Sequence, residues 1–279
     1  MADMYKAICT DGREITLKTY INPEYERVIV INSALGVKQT FYEDFALHIF
    51  SKGFNVITWD PRGIGLSAFK NPKKDTARLR EWGELDFDAV LSFVNIHLKF
   101  DWKNIEIIGH SAGGHLVGLS KNFANIPKLN LISSGTCYWK LYPLSQQPRI
   151  LLSWHFLVPS ILKLYGFIPK KFGLGHDIPA GVAVDWRNWS LQSGYLFSDS
   201  SLDLSVYDQF KGEIRAIGFN DDLGFSPPAT TLDLLNYFPL AKKDFRFFDP
   251  EELGLKSIGH FSFFKKKKFD QVLDFFLRA

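Results

Sequence analysis

The sequence predicts an α/β protein, built on a mostly parallel, doubly wound sheet with a helical cap inserted after the sixth strand. Three observations carry that expectation. Short runs rich in β-branched residues, at 27–32, 55–60, 105–108, 129–133 and 214–219, lack polar alternation, as strands covered on both faces do. Segments with helical periodicity separate several of them, which is the pattern of successive βα steps. Finally, roughly 80 residues lie between the run ending at Ser133 and the one starting near Ile214, against ~10 to 15 for an ordinary crossover.

Taken in order, residues 1–22 alternate around Asp11-Gly12 and read as a β-hairpin. The strand at 27–32 is followed by a helix over 40–51 that stops at Gly53, then by the strand at 55–60. Asp60-Pro61-Arg62-Gly63-Ile64-Gly65-Leu66-Ser67-Ala68 contains Gly63-x-Gly65-x-x-Ala68, a loose dinucleotide fingerprint. Its glycines start three residues past the strand and Asn71-Pro72 precludes a helix opening on them, so a buried Arg62 tied to nearby carbonyls is the better reading. A helix over 81–98 leads to the strand at 105–108. Beyond the long insertion, a strand at 245–248 and a helix over 269–277, with Phe269, Val272, Leu273 and Phe276 along one stripe, close the chain.

Composition bounds the function. The 279 residues are 46% hydrophobic and 23% charged with a formal net charge of +3, values that argue against disorder and against nucleic acid as a partner. Cys9 and Cys137 alone make neither a disulfide framework nor a zinc cluster, and the first residues lack the apolar core of an export signal, so a cytoplasmic location is expected. No cofactor and no metal are called for.

The insertion holds Trp139, Trp154, Trp186 and Trp189, four of the seven tryptophans. It divides the chain into a core of 1–136 and 201–279 and a cap of 137–200. The cap aromatics either shape an apolar substrate pocket or form the cap's own core. Within it, 150–167 is apolar apart from Ser153, His155, Pro159, Ser160 and Lys163, which count against a membrane-spanning helix. Flanked by Arg149, Lys170 and Lys171, the run is expected as a buried helix pair, with a peripheral membrane contact as the alternative. Lys265 to Lys268 reads as the solvated start of the last helix, or as an anionic-surface contact.

The chemistry centres on Gly109-His110-Ser111-Ala112-Gly113-Gly114, where an apolar strand meets a helix through G-x-S-x-G. Such a turn lifts the serine above the sheet in a strained conformation, and glycines two places away let strand and helix pass closely. Ser111 is therefore the expected nucleophile, and the Ala112 amide, opening the helix, an oxyanion donor. A serine needs an oriented base. His260, in Ser257-Ile258-Gly259-His260-Phe261 between the last strand and the last helix, fits better than the other six histidines. The acid belongs to Asn220-Asp221-Asp222-Leu223 after the strand at 214–219; Asp222 is preferred by its distance from Pro227-Pro228, and Asp221 remains the alternative. The second oxyanion donor is expected from Asn32-Ser33-Ala34-Leu35-Gly36, at Ala34 or else at Leu35.

These residues resemble the α/β-hydrolase superfamily, and within it a bacterial group of predicted α/β-hydrolases with a Gly-His-Ser-Ala-Gly-Gly elbow. The likeness rests on Asn-x-Ala-x-Gly with Phe-Tyr after it (32–42), Asp-x-Arg-Gly-x-Gly-x-Ser (60–67), Trp-Gly-x-Leu-Asp (82–86), the elbow (109–114) and Ile-Gly-His-Phe-x-Phe-Phe (258–264). It departs where Asn32-Ser33 replaces the His-Gly of many relatives. The resemblance implies the α/β-hydrolase fold and the triad. Together with the apolar cap, it leads to an expected esterase or lipase-like serine hydrolase acting on a small-molecule ester with an apolar acyl group through an acyl-enzyme. Acyl transfer by the same triad, and non-catalytic binding of an apolar ligand, are the alternatives.

Overall fold

The computed structural model describes residues 2–172, 175–267 and 269–277. Strands β1 (Ala2–Ile8) and β2 (Glu14–Tyr20) form the hairpin, turning at Gly12 with φ +82°. They are followed by β3 (Val28–Asn32), β4 (Asn55–Trp59), β5 (Ile105–His110) and β6 (Lys128–Ile132). Among the described residues, two-residue strands β7 (Phe167–Ile168) and β8 (Ile178–Pro179) pair only with each other, and β9 (Glu213–Phe219) and β10 (Lys242–Phe248) return to the main sheet. The eight-stranded order is β1-β2-β4-β3-β5-β6-β9-β10, with β2 alone running against the rest.

The apolar runs of the sequence are explained by burial on both faces. Val28 and Val30 of β3, Leu129 and Leu131 of β6, and Ile214 and Ala216 of β9 join one core. Ile29, Ile31, Ile132, Ile217 and Phe219, the residues between or beside them, join the other. The second core is closed by the Glu43–Ser51 helix through Phe45, Ala46 and Ile49, and by the Phe269–Leu277 helix through Phe269, Val272, Leu273 and Phe276. The first is closed by a helix over 79–97 that alternates α and π turns. Of the Lys265–Lys268 run, Lys268 lies outside the described residues. Lys267, left-handed at φ +55°, ends the Ser262–Lys266 helix and pairs with Asp44, so the run marks a break between two helices rather than the start of one.

Between β6 and β9 the chain forms helical turns over 147–165, the Ala180–Leu191 helix and the short Ser205–Gln209 helix. Trp154, Val158, Ile161, Val182 and Trp189 are buried in the core on the sheet's first face, and Trp154 meets half-buried Trp186 edge to face at 4.7 Å. The tryptophans thus divide, two buried and Trp139 and Trp186 half-buried. Polar ties hold the excursion down: the Asp185 carboxylate pairs with Arg78 and accepts from the Leu79 amide at 3.1 Å, and the Tyr142 hydroxyl donates to the Phe225 carbonyl at 2.7 Å. Among the described residues, no helix is long and apolar enough to cross a membrane.

Arg62 is buried as expected, but its partners are carboxylates rather than carbonyls. Its Nε reaches Asp86 at 2.7 Å, and Nη1 reaches Asp11 at 2.8 Å and Glu81 at 3.1 Å. The loop folds the guanidinium inward, where only charge can match charge. The pairing is costly: burial pushes the Asp86 carboxyl up to about 6 despite the guanidinium beside it. Asp86→Ala is expected to lower stability by about 3 kcal/mol, read from the urea unfolding midpoint, because the arginine keeps only its peripheral partners. The double replacement Arg62→Met/Asp86→Leu should recover most of that loss.

A second buried polar group sets a pH dependence. His115, fully enclosed, has Nδ1 3.1 Å from the Gly135 carbonyl and Nε2 3.2 Å from the Tyr195 hydroxyl, and burial pushes its pKa down to about 4. The unfolded chain binds this proton near pH 6.5. Stability from His115 is therefore present above about 6.5 and lost as pH falls toward 4, at up to about 1.4 kcal/mol per pH unit. Unfolding free energies across that window should fall more steeply for the wild type than for His115→Gln.

Candidate active site

The strand-to-helix turn after β5 is built by close backbone approach. Ser111 sits at φ +53° and ψ −120°, a strained conformation for a side-chain-bearing residue, and the Ala112–His115 helix begins directly after it. A Cβ on Gly109 would stand 2.4 Å from Gly114 Cα, and one on Gly113 would stand 2.3 Å from the Asn32 carbonyl oxygen. Asn32 also clasps the turn from β3: its Nδ2 donates to the Gly113 carbonyl at 3.1 Å, while its Oδ1 accepts from Trp59 Nε1 at 2.9 Å. Asn32 is thus a two-way tie between β3, β4 and the elbow. The Ser134 hydroxyl donates to the Ser111 carbonyl at 2.7 Å. Among the described residues, the Ser111 hydroxyl and the Ala112 amide form no hydrogen bond.

Two loops at the carboxyl end of the sheet meet beside this turn. His260 Nδ1 lies 2.6 Å from Asp222 Oδ2, with both side chains almost fully buried. Asp221, its neighbour, points elsewhere and accepts from the Ile258 and Gly259 amides at 2.7 and 3.0 Å. One carboxylate therefore meets the imidazole, and the next holds the backbone that carries it. Phe225 stacks on the His260 ring at 4.9 Å.

The His260 loop is tied to the elbow through His110, the residue before Ser111. The two imidazoles lie 4.9 Å apart, and His110 Nε2 is 3.0 Å from the His260 carbonyl. His110 Nδ1 is 2.8 Å from the Tyr42 hydroxyl, which also accepts from the Ala34 amide at 2.9 Å. The Tyr42 proton must then point to Nδ1, leaving Nε2–H to donate to the carbonyl. Burial next to the His260 ring holds the His110 pKa well below the usual imidazole value, so this ring stays neutral.

This chain of bonds distinguishes the two candidate amides of the loop after β3. The Ala34 amide is engaged by Tyr42, whereas the Leu35 amide has no partner among the described residues. Sequence reasoning set His110 aside as a base and used Phe41-Tyr42 only as part of the family likeness, giving neither residue a role. The signal was the aromatic pair at 41–42 following Asn32, together with a histidine directly before the serine. Of the other histidines, His48 pairs with Asp270 on the sheet's second face, His97 stacks on Phe93, and His155 is exposed. A cleft of about 1180 Å³ between Pro127, Glu213, Arg215 and Lys242 opens at the opposite end of β9 from the Asp222 loop.

Comparison with known proteins agrees with this architecture. The family model described as serine aminopeptidase, S33, matches residues 23–162, half of the chain. No curated protein matches by sequence. Among solved structures, the α/β-hydrolase GrgF from Penicillium sp. sh18 superposes with a TM-score of 0.63 at 16% identity, covering 99% of this chain and 98% of its own. The esterase EaEST from Exiguobacterium antarcticum gives 0.60 at 16%, covering 96% and 97%. A bromoperoxidase from Bacillus anthracis gives 0.60 at 15%, covering 99% and 100%. An esterase and a bromoperoxidase on one fold show that the likeness carries architecture and not substrate. By its family match and its sheet order, the chain belongs to the serine aminopeptidase S33 family of the α/β-hydrolase superfamily.

Proposed function

We propose that this α/β-hydrolase is a serine esterase that cleaves carboxylic esters with an apolar acyl group. The observation that carries the reading is the buried His260–Asp222 pair, 2.6 Å apart, on a loop hydrogen-bonded to the residue preceding Ser111. In the reaction, Ser111 Oγ attacks the ester carbonyl while its proton passes to His260, whose Asp222-bonded ring is held in the tautomer that accepts it. The imidazolium returns the proton to the departing alkoxide, leaving an acyl-enzyme. Water, deprotonated by the same ring, releases the acid and restores the serine. The Ala112 amide, free of any internal partner among the described residues, serves the oxyanion. Leu35 is the second donor, because Ala34 would have to release Tyr42.

The cap supports an apolar, neutral acyl group over the amino-terminal peptide that the family's description suggests. The acids of residues 137–200 are Asp177, Asp185 and Asp199, and each is engaged, Asp177 by the Lys170 amide, Asp185 by Arg78 and Asp199 by Trp189 and Ser201, so none stands uncommitted to pair with an α-ammonium group. Around the pair stand Phe225 and Cys137, the latter beside Trp186, Tyr142 and Tyr195 and close enough to Asp222 for its thiol to feel that charge.

Ser111→Ala should lower kcat on a p-nitrophenyl ester by on the order of 10⁶ and abolish labelling by a fluorophosphonate. Asp222→Asn should cost about 10⁴ by presenting the wrong tautomer, and Asp221→Asn far less. An active preparation that takes no label at Ser111 rules the reading out. In a chain-length series, turnover of acetate alone overturns the apolar pocket. Ester products formed with added alcohols indicate acyl transfer, and fatty-acid binding without turnover or label indicates a binding protein.

A further inference from the structure

The helical turns over 147–165 are apolar on both sides. Trp154, Val158 and Ile161 face the core, which satisfies one side. Leu152 (60% exposed), Phe156 (67%), Leu157 (50%) and Leu164 (72%) face outward, and Leu144 (82%) precedes them. The core leaves these large apolar side chains uncovered, alongside the exposed Arg149, His155 and Lys163 of the same segment. The two ends of the segment fold back on it: Gln147 Nε2 donates to the Tyr142 carbonyl at 2.9 Å, and Lys171 Nζ donates to the Tyr165 hydroxyl at 2.8 Å with Phe172 alongside.

The charge carried by residues 137–176 is of one sign, Asp177 being the first acid after them, with its carboxylate on the Lys170 amide at 2.7 Å. Residues 137–176 carry Lys140, Arg149, Lys163, Lys170 and Lys171 and no acid, more positive charge than the +3 of the whole chain. All five are exposed, and among the described residues none forms an ion pair. A second copy of the chain is a poor occupant, because a two-fold contact would press five unpaired cations against five more. Acyl chains take up Leu and Phe side chains while anionic headgroups meet the surrounding cations.

We propose that this outer face of the cap docks on anionic lipid bilayers, with Leu152, Phe156 and Leu164 at the headgroup–acyl boundary and Arg149, Lys163, Lys170 and Lys171 on the headgroups. The contact is peripheral, because the inner side of the same segment is held in the core through Trp154, Val158 and Ile161. It places the cap where an ester with an apolar acyl group would be met. The docking itself does not rest on the hydrolase reading.

Sedimentation of the full chain with phosphatidylcholine vesicles, with and without about one-third phosphatidylserine, tests the proposal without recourse to turnover. Binding is expected only with phosphatidylserine and should weaken as salt rises. Lys163→Gln and Lys170→Gln should each weaken it about fivefold, and Leu152→Ser/Phe156→Ser by at least about tenfold, with circular dichroism confirming that each variant stays folded. Absence of binding to the anionic vesicles overturns the proposal, as does binding that survives both sets of changes. So does loss on Lys265→Ala/Lys267→Ala instead, which would put the contact on the other side of the molecule. A lipid-free dimer that Leu152→Ser/Phe156→Ser dissociates would make a second copy the occupant.

Discussion

The close passage of two backbones at the elbow is the constraint on which the rest of the site depends. Gly113 runs against the Asn32 carbonyl and Gly109 against Gly114, at separations that no side chain can share. That crowding brings the Ala112–His115 helix in immediately above the end of β5 and forces Ser111 to a positive φ. The strain persists because neighbours over-determine it: Asn32 from β3, Ser134 after β6 and the parallel ladders on both sides of β5 all fix the same few atoms.

From that turn, order spreads through hydrogen bonds whose direction is dictated. The Ala34 amide gives its proton to Tyr42, Tyr42 to His110, and His110 to the His260 carbonyl. The loop after β3 and the loop after β10 are thereby held by one buried chain that runs past the serine. Asp221 and Asp222 complete the holding from the other side, one on the backbone and one on the ring. Adjacent carboxylates can do this because the loop after β9 turns their side chains to different partners.

The legibility of the sequence follows the range of the interactions. Strands such as 27–32 and 214–219 were readable because burial on both faces leaves an unbroken apolar run, and the elbow because its glycines answer a local steric demand. The excursion between β6 and β9 was readable from length alone. What escaped was set by contacts distant in sequence. Arg62 was legible as buried, but Asp86, 24 residues on, was not legible as its partner. Tyr42 accepts from the Ala34 amide while donating to His110, and no local pattern encodes that pairing. The uncovered side of 147–165 escaped for the opposite reason: composition shows an apolar run but not which of its residues the core leaves outside.

The neutrality of His110 bears on the proposed chemistry more than its position alone suggests. A base at His260 must become an imidazolium in each half-reaction, with another imidazole 4.9 Å away. Were that neighbour charged, the repulsion at this separation would be about 3 kcal/mol at an effective dielectric of 20, enough to slow proton uptake by more than a hundredfold. Burial removes the difficulty, because it drives the His110 pKa well below the range in which the enzyme would work. The Tyr42 hydroxyl then makes use of the neutral ring, since only an unprotonated Nδ1 can accept its proton. The same desolvation that keeps the neighbour uncharged therefore also fixes its tautomer, and with it the carbonyl bond that positions the His260 loop.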